Sequence, residues 1–229
     1  MNSVLLRLEG PLQAWSTQSK LGVRDTDREP SKSGVLGLVG AALGMERTDD
    51  ETLAELRQLE MAVRVDRPGS LLHDYHTAGG GTFRGSPYFV HGVKDCIPSH
   101  RYYLQDASFV AALSGTAALV ERIAAALRSP RWPLFLGRRA CPPSAPPLIG
   151  VLQDGAARAA ASAPYAQRAH ERRNGEAASQ LRLLVESSPE DGEPRYDVPL
   201  SFAPDAKRYG VRYVRTEWVD PPSMEEAAQ

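Results

Sequence analysis

Glu29-Pro30-Ser31-Lys32-Ser33-Gly34-Val35-Leu36-Gly37-Leu38-Val39-Gly40-Ala41-Ala42-Leu43-Gly44 is the stretch around which the rest of the chain is read. Pro30 suits the first turn of a helix, and Ser31 or Ser33 can cap its exposed amides. Gly44 stands where a left-handed C-terminal cap is expected. Between the caps runs an apolar helix interrupted by Gly34, Gly37 and Gly40, each costing roughly 1 kcal/mol against alanine. Such a helix needs close approach of its backbone to a sheet, a second helix or a ligand. Lys32 and two serines at its positive end form a candidate anion site. A buried helix with a polar start accounts for the same residues.

Outward from this helix the chain alternates between strand and helix patterns. Upstream, Val4, Leu6 and Leu8 alternate with Leu5, Arg7 and Glu9, a strand ended by Gly10-Pro11. Downstream, Thr48-Asp49-Asp50-Glu51 reads as a capping box before Leu53, Leu56 and Leu59. Met61, Val63 and Val65 mark a second strand that stops at Arg67-Pro68-Gly69. Leu71 to Tyr103 reads as a long projecting hairpin with a glycine-rich middle, Gly79-Gly80-Gly81. Phe109 to Leu113 reads as a short helical segment. Leu119, Val120, Ile123, Ala124 and Leu127 give an amphipathic helix, and Trp132, Leu134 and Leu136 a strand closed by Gly137.

This β-α-β-β-α-β order predicts an α+β fold, a ferredoxin-like palm with a β-hairpin thumb at about 71–103. Residues 1–147 are assigned to the palm and 148–229 to a small, mostly-β C-terminal region. Within that region 153–180 reads as an alanine-rich flexible loop, and Lys207 to Trp218 interleaves cations with Tyr209, Tyr213 and Trp218.

At 229 residues the chain is one large domain or two small ones. Its net charge of −1 fails the simple test for a nucleic-acid binder, yet Arg128, Arg131, Arg138 and Arg139 cluster without an intervening acid. Its longest apolar run, near Val35 to Leu43, is too short to span a bilayer, and the N-terminus lacks a secretory pattern. Cys96 and Cys141 are unclustered. These features predict a cytoplasmic protein without a membrane association.

Lys32-Ser33-Gly34 lacks the glycine that precedes the lysine of a P-loop, so nucleotide hydrolysis is rejected. His73, His76, His91, His100 and His170 have no metal spacing, and neither a metal nor another cofactor is expected. Asp74 and His76 could polarise one another or simply sit at a strand end.

Six motifs occur in order: Leu8-x-Gly10-Pro11-Leu12-Gln13-x-Trp15, Pro30 to Gly44, Asp66-Arg67-Pro68-Gly69, Asp74-Tyr75-His76-Thr77, Tyr103-Leu104-x-Asp106-Ala107-x-Phe109, and Leu136-Gly137-Arg138-Arg139-x-Cys141-Pro142. As a set the sequence resembles the CasD-type subunits of type I-E CRISPR Cascade complexes, over roughly residues 4–147. The C-terminal third matches only in layout.

That resemblance implies a non-catalytic RNA-binding subunit that holds the 5′ handle of crRNA at one end of a ribonucleoprotein complex for antiviral defence. It implies contacts with the backbone subunit and the large PAM-reading subunit, and with target DNA only through the complex. It places Ser31, Lys32, Ser33 and Gly34 against handle phosphates, and Gln13, Trp15, Arg24 and Thr26 near handle bases or sugars. Tyr75, His76, Arg84 and Arg101 fall on the arm, and Arg138 and Arg139 are set to hold phosphate. The alternative is a metal-independent endoribonuclease processing repeat RNA through His76, Tyr75 or Lys94. A third reading is an unrelated ferredoxin-like module.

Overall fold

The first strand, β1 (Asn2–Glu9), lies inside a seven-stranded sheet of a computed structural model that describes residues 1–17, 22–78, 97–166 and 178–222. Two short strands follow, β2 (Leu12–Gln13) and β3 (Val23–Arg24). Helix α1 (Lys32–Leu43) begins at its Ser31 cap, whose Oγ accepts from the Gly34 amide at 3.3 Å. It ends at Gly44, whose φ of +75° is the left-handed cap a side chain would strain. Helix α2 (Asp50–Leu56) is capped by Asp49, which accepts from the Thr52 amide, and not by Thr48 as the capping-box pattern predicts.

Strand β4 (Glu60–Arg67) matches the expected second strand, and β5 (Ser70–Ala78) with β6 (Ile97–Gln105) forms the base of the expected hairpin. The glycine-rich middle of the hairpin lies outside the described residues. After it comes β7 (Ser108–Gly115), where the sequence suggests a short helix at Phe109–Leu113. The reason is burial on both faces. A central strand reads as a continuous apolar run, which periodicity cannot tell from a buried helix.

Helix α3 (Ala117–Arg128) carries the expected amphipathic pattern and is capped by Thr116, whose side chain accepts from the Leu119 amide. The strand expected at Trp132–Leu136 does not form. Leu136 instead bonds to the Ala14 amide and to Cys141 in an irregular crossing. The sheet edge beside β1 comes from β8 (Leu148–Leu152).

The alanine-rich stretch is not wholly a loop. Ala156–Ser162 is helix α4, and Ala156, Ala159, Ala160 and Ala163 are buried against the sheet. Small side chains let the helix approach closely but give little amphipathic signal. Residues 167–177 of the same stretch, with Arg168, Arg172 and Arg173, lie outside the described residues. Strands β9 (Leu181–Ser187), β10 (Glu193–Ser201) and β11 (Arg208–Val219) complete the chain.

The long sheet runs β10-β11-β9-β4-β7-β1-β8, with every pairing antiparallel. Alternation sorts its two faces. Val4, Leu6, Leu8, Met61, Val63, Phe109, Ala111 and Leu113 share a core with α1, α2 and α3. Leu5, Ala62, Val110, Ala112, Leu183 and Val185 face α4.

On that second face Arg64 is fully buried. It bonds to Asp66 at 2.7 Å and to the carbonyls of Ala160, Ala161 and Ala163. One guanidinium thus satisfies the orphan carbonyls at the end of α4. A second sheet, β2-β6-β3 with β5 on β6, carries the hairpin. Among the described residues, no helix is long and apolar enough to cross a membrane.

Candidate nucleic-acid interface

The glycines of α1 have separate tasks. A Cβ at Gly34 would lie 2.7 Å from the Trp15 ring, so this glycine admits Trp15 into the core. One at Gly40 would lie 2.7 Å from the end of Met45. One at Gly37 would meet nothing within 4 Å. Gly37 is therefore not a packing requirement, and it faces open space.

That space is a groove of about 340 Å³ lined by Ser33, Gly34, Gly37, Ala41, Arg47, Trp132, Phe135, Phe202, Lys207 and Tyr209. Through Ser33, Gly34, Gly137, Phe202 and Tyr209 it continues into a recess of about 260 Å³ bounded by Trp15 and Arg138. Aromatic rings from the 132–135 crossing and from the β10–β11 region therefore face a helix backbone across a cleft. Exposed cations, Arg47 and Lys207, stand at its rim. Gly137 holds the corner. Its φ is +85°, and a Cβ there would lie 1.8 Å from the Ala14 carbonyl oxygen.

The start of α1 differs from the expected anion site. Lys32 is 3 % exposed. Its Nζ pairs with Glu186 at 2.9 Å, and its backbone amide donates to Asp197 Oδ2 at 2.7 Å. Arg212 grips both oxygens of Asp197 and also reaches Glu186 at 3.3 Å. Two cations and two carboxylates close on each other, and a protein carboxylate occupies the helix N-terminus. Ser31 is buried as the cap, while Ser33 and Gly34 are half-buried and reach the groove.

The other expected residues divide as follows. Gln13 is fully buried, donating to the Leu8 and Ala107 carbonyls and accepting from the Trp15 indole. Trp15 is 1 % exposed. The Thr26 hydroxyl is taken by the Trp15 amide and the Asp27 carbonyl. These three knit the N-terminal loop to the core. Arg138 donates to the carbonyls of Tyr102, Arg24 and Asp25 and stacks over Tyr103 with 4.9 Å to its centroid. It clamps the hairpin base to the loop after β3. Arg139 is exposed.

Arg101 is half-buried and reaches the Ser99 hydroxyl, and Arg24 pairs beside it in β3 with an exposed side chain. His76 bonds to Asp74. Tyr75, its neighbour in the strand, turns to the opposite face and meets the His100 ring. Arg84 and Lys94 lie outside the described residues.

The residues that sequence reasoning missed are Arg47, Trp132, Phe135 and Phe202. Only Lys207 and Tyr209 carried a signal, through the interleaving of cations and rings in the C-terminal stretch.

Over residues 3–215 the sequence matches the family model described as CRISPR-associated protein (Cas_Cas5). The chain belongs to the Cas5 family. It is 38% identical over 164 residues to the CRISPR system Cascade subunit CasD of Escherichia coli (strain K12), covering 66% of this chain and 71% of that protein. Among solved structures, it resembles a chain of a CRISPR RNA-guided surveillance complex with a TM-score of 0.77 and 35% identity, over 96% of this chain and 91% of the other. A crystal structure of a Cas protein matches with a TM-score of 0.74 and 36% identity, over 96% and 98%.

Proposed function

We propose that this Cas5 protein is a non-catalytic subunit of a Cascade-type complex that binds the 5′ handle of crRNA and caps one end of the particle in the cytoplasm. It would contact the backbone subunit and the large PAM-reading subunit, and meet target DNA only through them. The observation that carries this is the groove on the Gly37 face of α1. A glycine floor, aromatic walls and rim cations suit an unpaired, splayed RNA segment, which binds by stacking and phosphate contact. Ser33, Gly34, Lys207 and Arg47 are assigned to backbone contacts there. Arg24, Arg101 and Arg139 are assigned to a flanking cationic path, and Arg84 stays with the arm. Lys32, Gln13, Trp15, Thr26 and Arg138 serve by shaping the site.

The finer architecture follows the same reading. The β4-β7-β1-β8 order with α1 and α3 on one face supports a ferredoxin-like palm. The β5–β6 hairpin is its thumb, and the strands after β8 extend the palm sheet.

A nuclease reading loses support from the pleat of β5, which sends Tyr75 and His76 to opposite faces. Co-expression with the neighbouring subunits and a repeat transcript tests the proposal. A particle carrying crRNA with an intact handle is expected. Failure to enter a particle, or cleavage of repeat RNA in EDTA that His76→Ala abolishes, would overturn it.

A further inference from the structure

The two faces of the hairpin base differ in chemistry. Register places Asp74, His76, Arg101 and Arg24 on one face, and His73, Tyr75, His100, Tyr102 and Val23 on the other. The second face holds a connected set of rings. His73 Nε2 and His100 Nδ1 lie 2.9 Å apart, and the ring planes differ by 11°. A hydrogen bond between ring nitrogens runs in the ring plane. The 5.1 Å centroid separation is what that contact gives once a ring radius is added at each end. The two imidazoles therefore sit edge to edge as one flat surface. Tyr102 lies nearly parallel to His73 at 4.7 Å, and Tyr75 is set across the His100 end at 61°. Tyr75 is 58% exposed and Val23 45%.

His73 and Tyr75 are exposed and His100 and Tyr102 half-buried, so this set of four rings on a two-stranded ribbon contributes little to the core. We infer that this face is a stacking platform for one unpaired nucleobase, separate from the α1 groove. The linked imidazoles offer a π-surface wider than a single ring, and Tyr75 limits it at one end. Exposed aromatic rings on strands are the means by which single-stranded RNA is held without a fixed sequence. The contact uses one nitrogen of each imidazole, His73 Nε2 and His100 Nδ1, and holds the two rings in one plane for stacking on the flat face of a base. This inference rests on the RNA-binding reading above.

The test uses the full chain and a short oligouridine carrying a single 2-aminopurine, whose fluorescence is quenched by stacking. Quenching on binding is expected. His73→Ala with His100→Ala should abolish it and weaken Kd roughly tenfold or more. Tyr75→Ala, which removes only an exposed ring, should weaken quenching with the fold intact. His73→Phe with His100→Phe should restore it. Binding with quenching unchanged in the alanine variants overturns the platform and leaves the groove reading standing. Absence of binding by the unaltered chain, alone and in the assembled particle, overturns both. Loss of partner-subunit capture with quenching retained makes this face a protein contact and also overturns the platform.

Discussion

The backbone amide of Lys32 donates to the carboxylate of Asp197, 165 positions away in sequence, at 2.7 Å. The contact fills the positive end of α1 with an internal anion and joins the helix to β10. Arg212 and Glu186 complete the group, so its charges cancel where water is largely excluded. Removing one member strands its partners. Asp197→Ala should cost about 3–5 kcal/mol, the range for breaking a buried pair. A chemical-denaturation midpoint reads this directly. Lys32→Glu should be destabilising for the same reason, since it sets a third carboxylate beside Glu186. A stability unchanged in Asp197→Ala would show that the group is solvated and that the helix start is open to ligand.

Gly37 separates packing from binding. A methyl group there meets nothing, so Gly37→Ala should stabilise α1 by about 1 kcal/mol or less. Gly37→Leu should fill the groove, leave thermal unfolding near that of the unaltered protein, and sharply reduce RNA retention. Gly34→Ala is the contrasting case, because its methyl would enter the Trp15 ring and lower stability. Normal RNA retention by Gly37→Leu would remove the groove from the interface.

Salt dependence tests the rim. Lys207→Glu should weaken RNA binding across sequences and reduce the slope of log K against log salt by about one. Arg138→Ala should act differently. Its guanidinium is spent on three backbone carbonyls, so amide exchange along β6 and the loop after β3 should quicken. Arg138→Lys cannot supply the fork and should restore little. A salt slope altered by Arg138→Ala, with exchange unchanged, would return that residue to the phosphate path.

The elements that could be read in the sequence were those with a local cause. Ser31 and Gly44 announce helix ends through their own backbone needs, and Met61 to Val65 announces a strand because Ala62 and Arg64 alternate with its large apolar residues even though both faces are buried. β7 could not be read because both of its faces are buried, and periodicity carries no information there. α4 could not because alanine marks no face. The lining of the groove was legible where chemistry is written in adjacent residues, as in Ser33-Gly34. It was not where the fold spends that chemistry on itself: Lys32 on Glu186, Gln13 on Trp15, and Arg138 on carbonyls. Phe202 and Arg47 have no local pattern, and only the meeting of β10 with α1 and the turn before α2 makes them neighbours.

Asp27 offers a pH test of the loop that carries Trp15. Its carboxyl is raised above the ordinary 3.8, chiefly because burial disfavours the charged form, with Thr17 and Arg195 opposing. It faces the same recess as Glu29 and Arg195. A carboxyl raised on folding favours the folded state while protonated and loses that contribution as pH rises. The cost of its ionisation should grow from 3.8 up to the raised value and then stay constant. Asp27→Asn cannot ionise and escapes that cost. The variant should therefore match the unaltered protein in acid and exceed it at neutral pH, with the gap opening only across that window. Denaturation midpoints measured over an acid-to-neutral series decide it. A gap that is constant with pH, or that widens on acidification, would place the Asp27 carboxylate in a favourable ion pair instead.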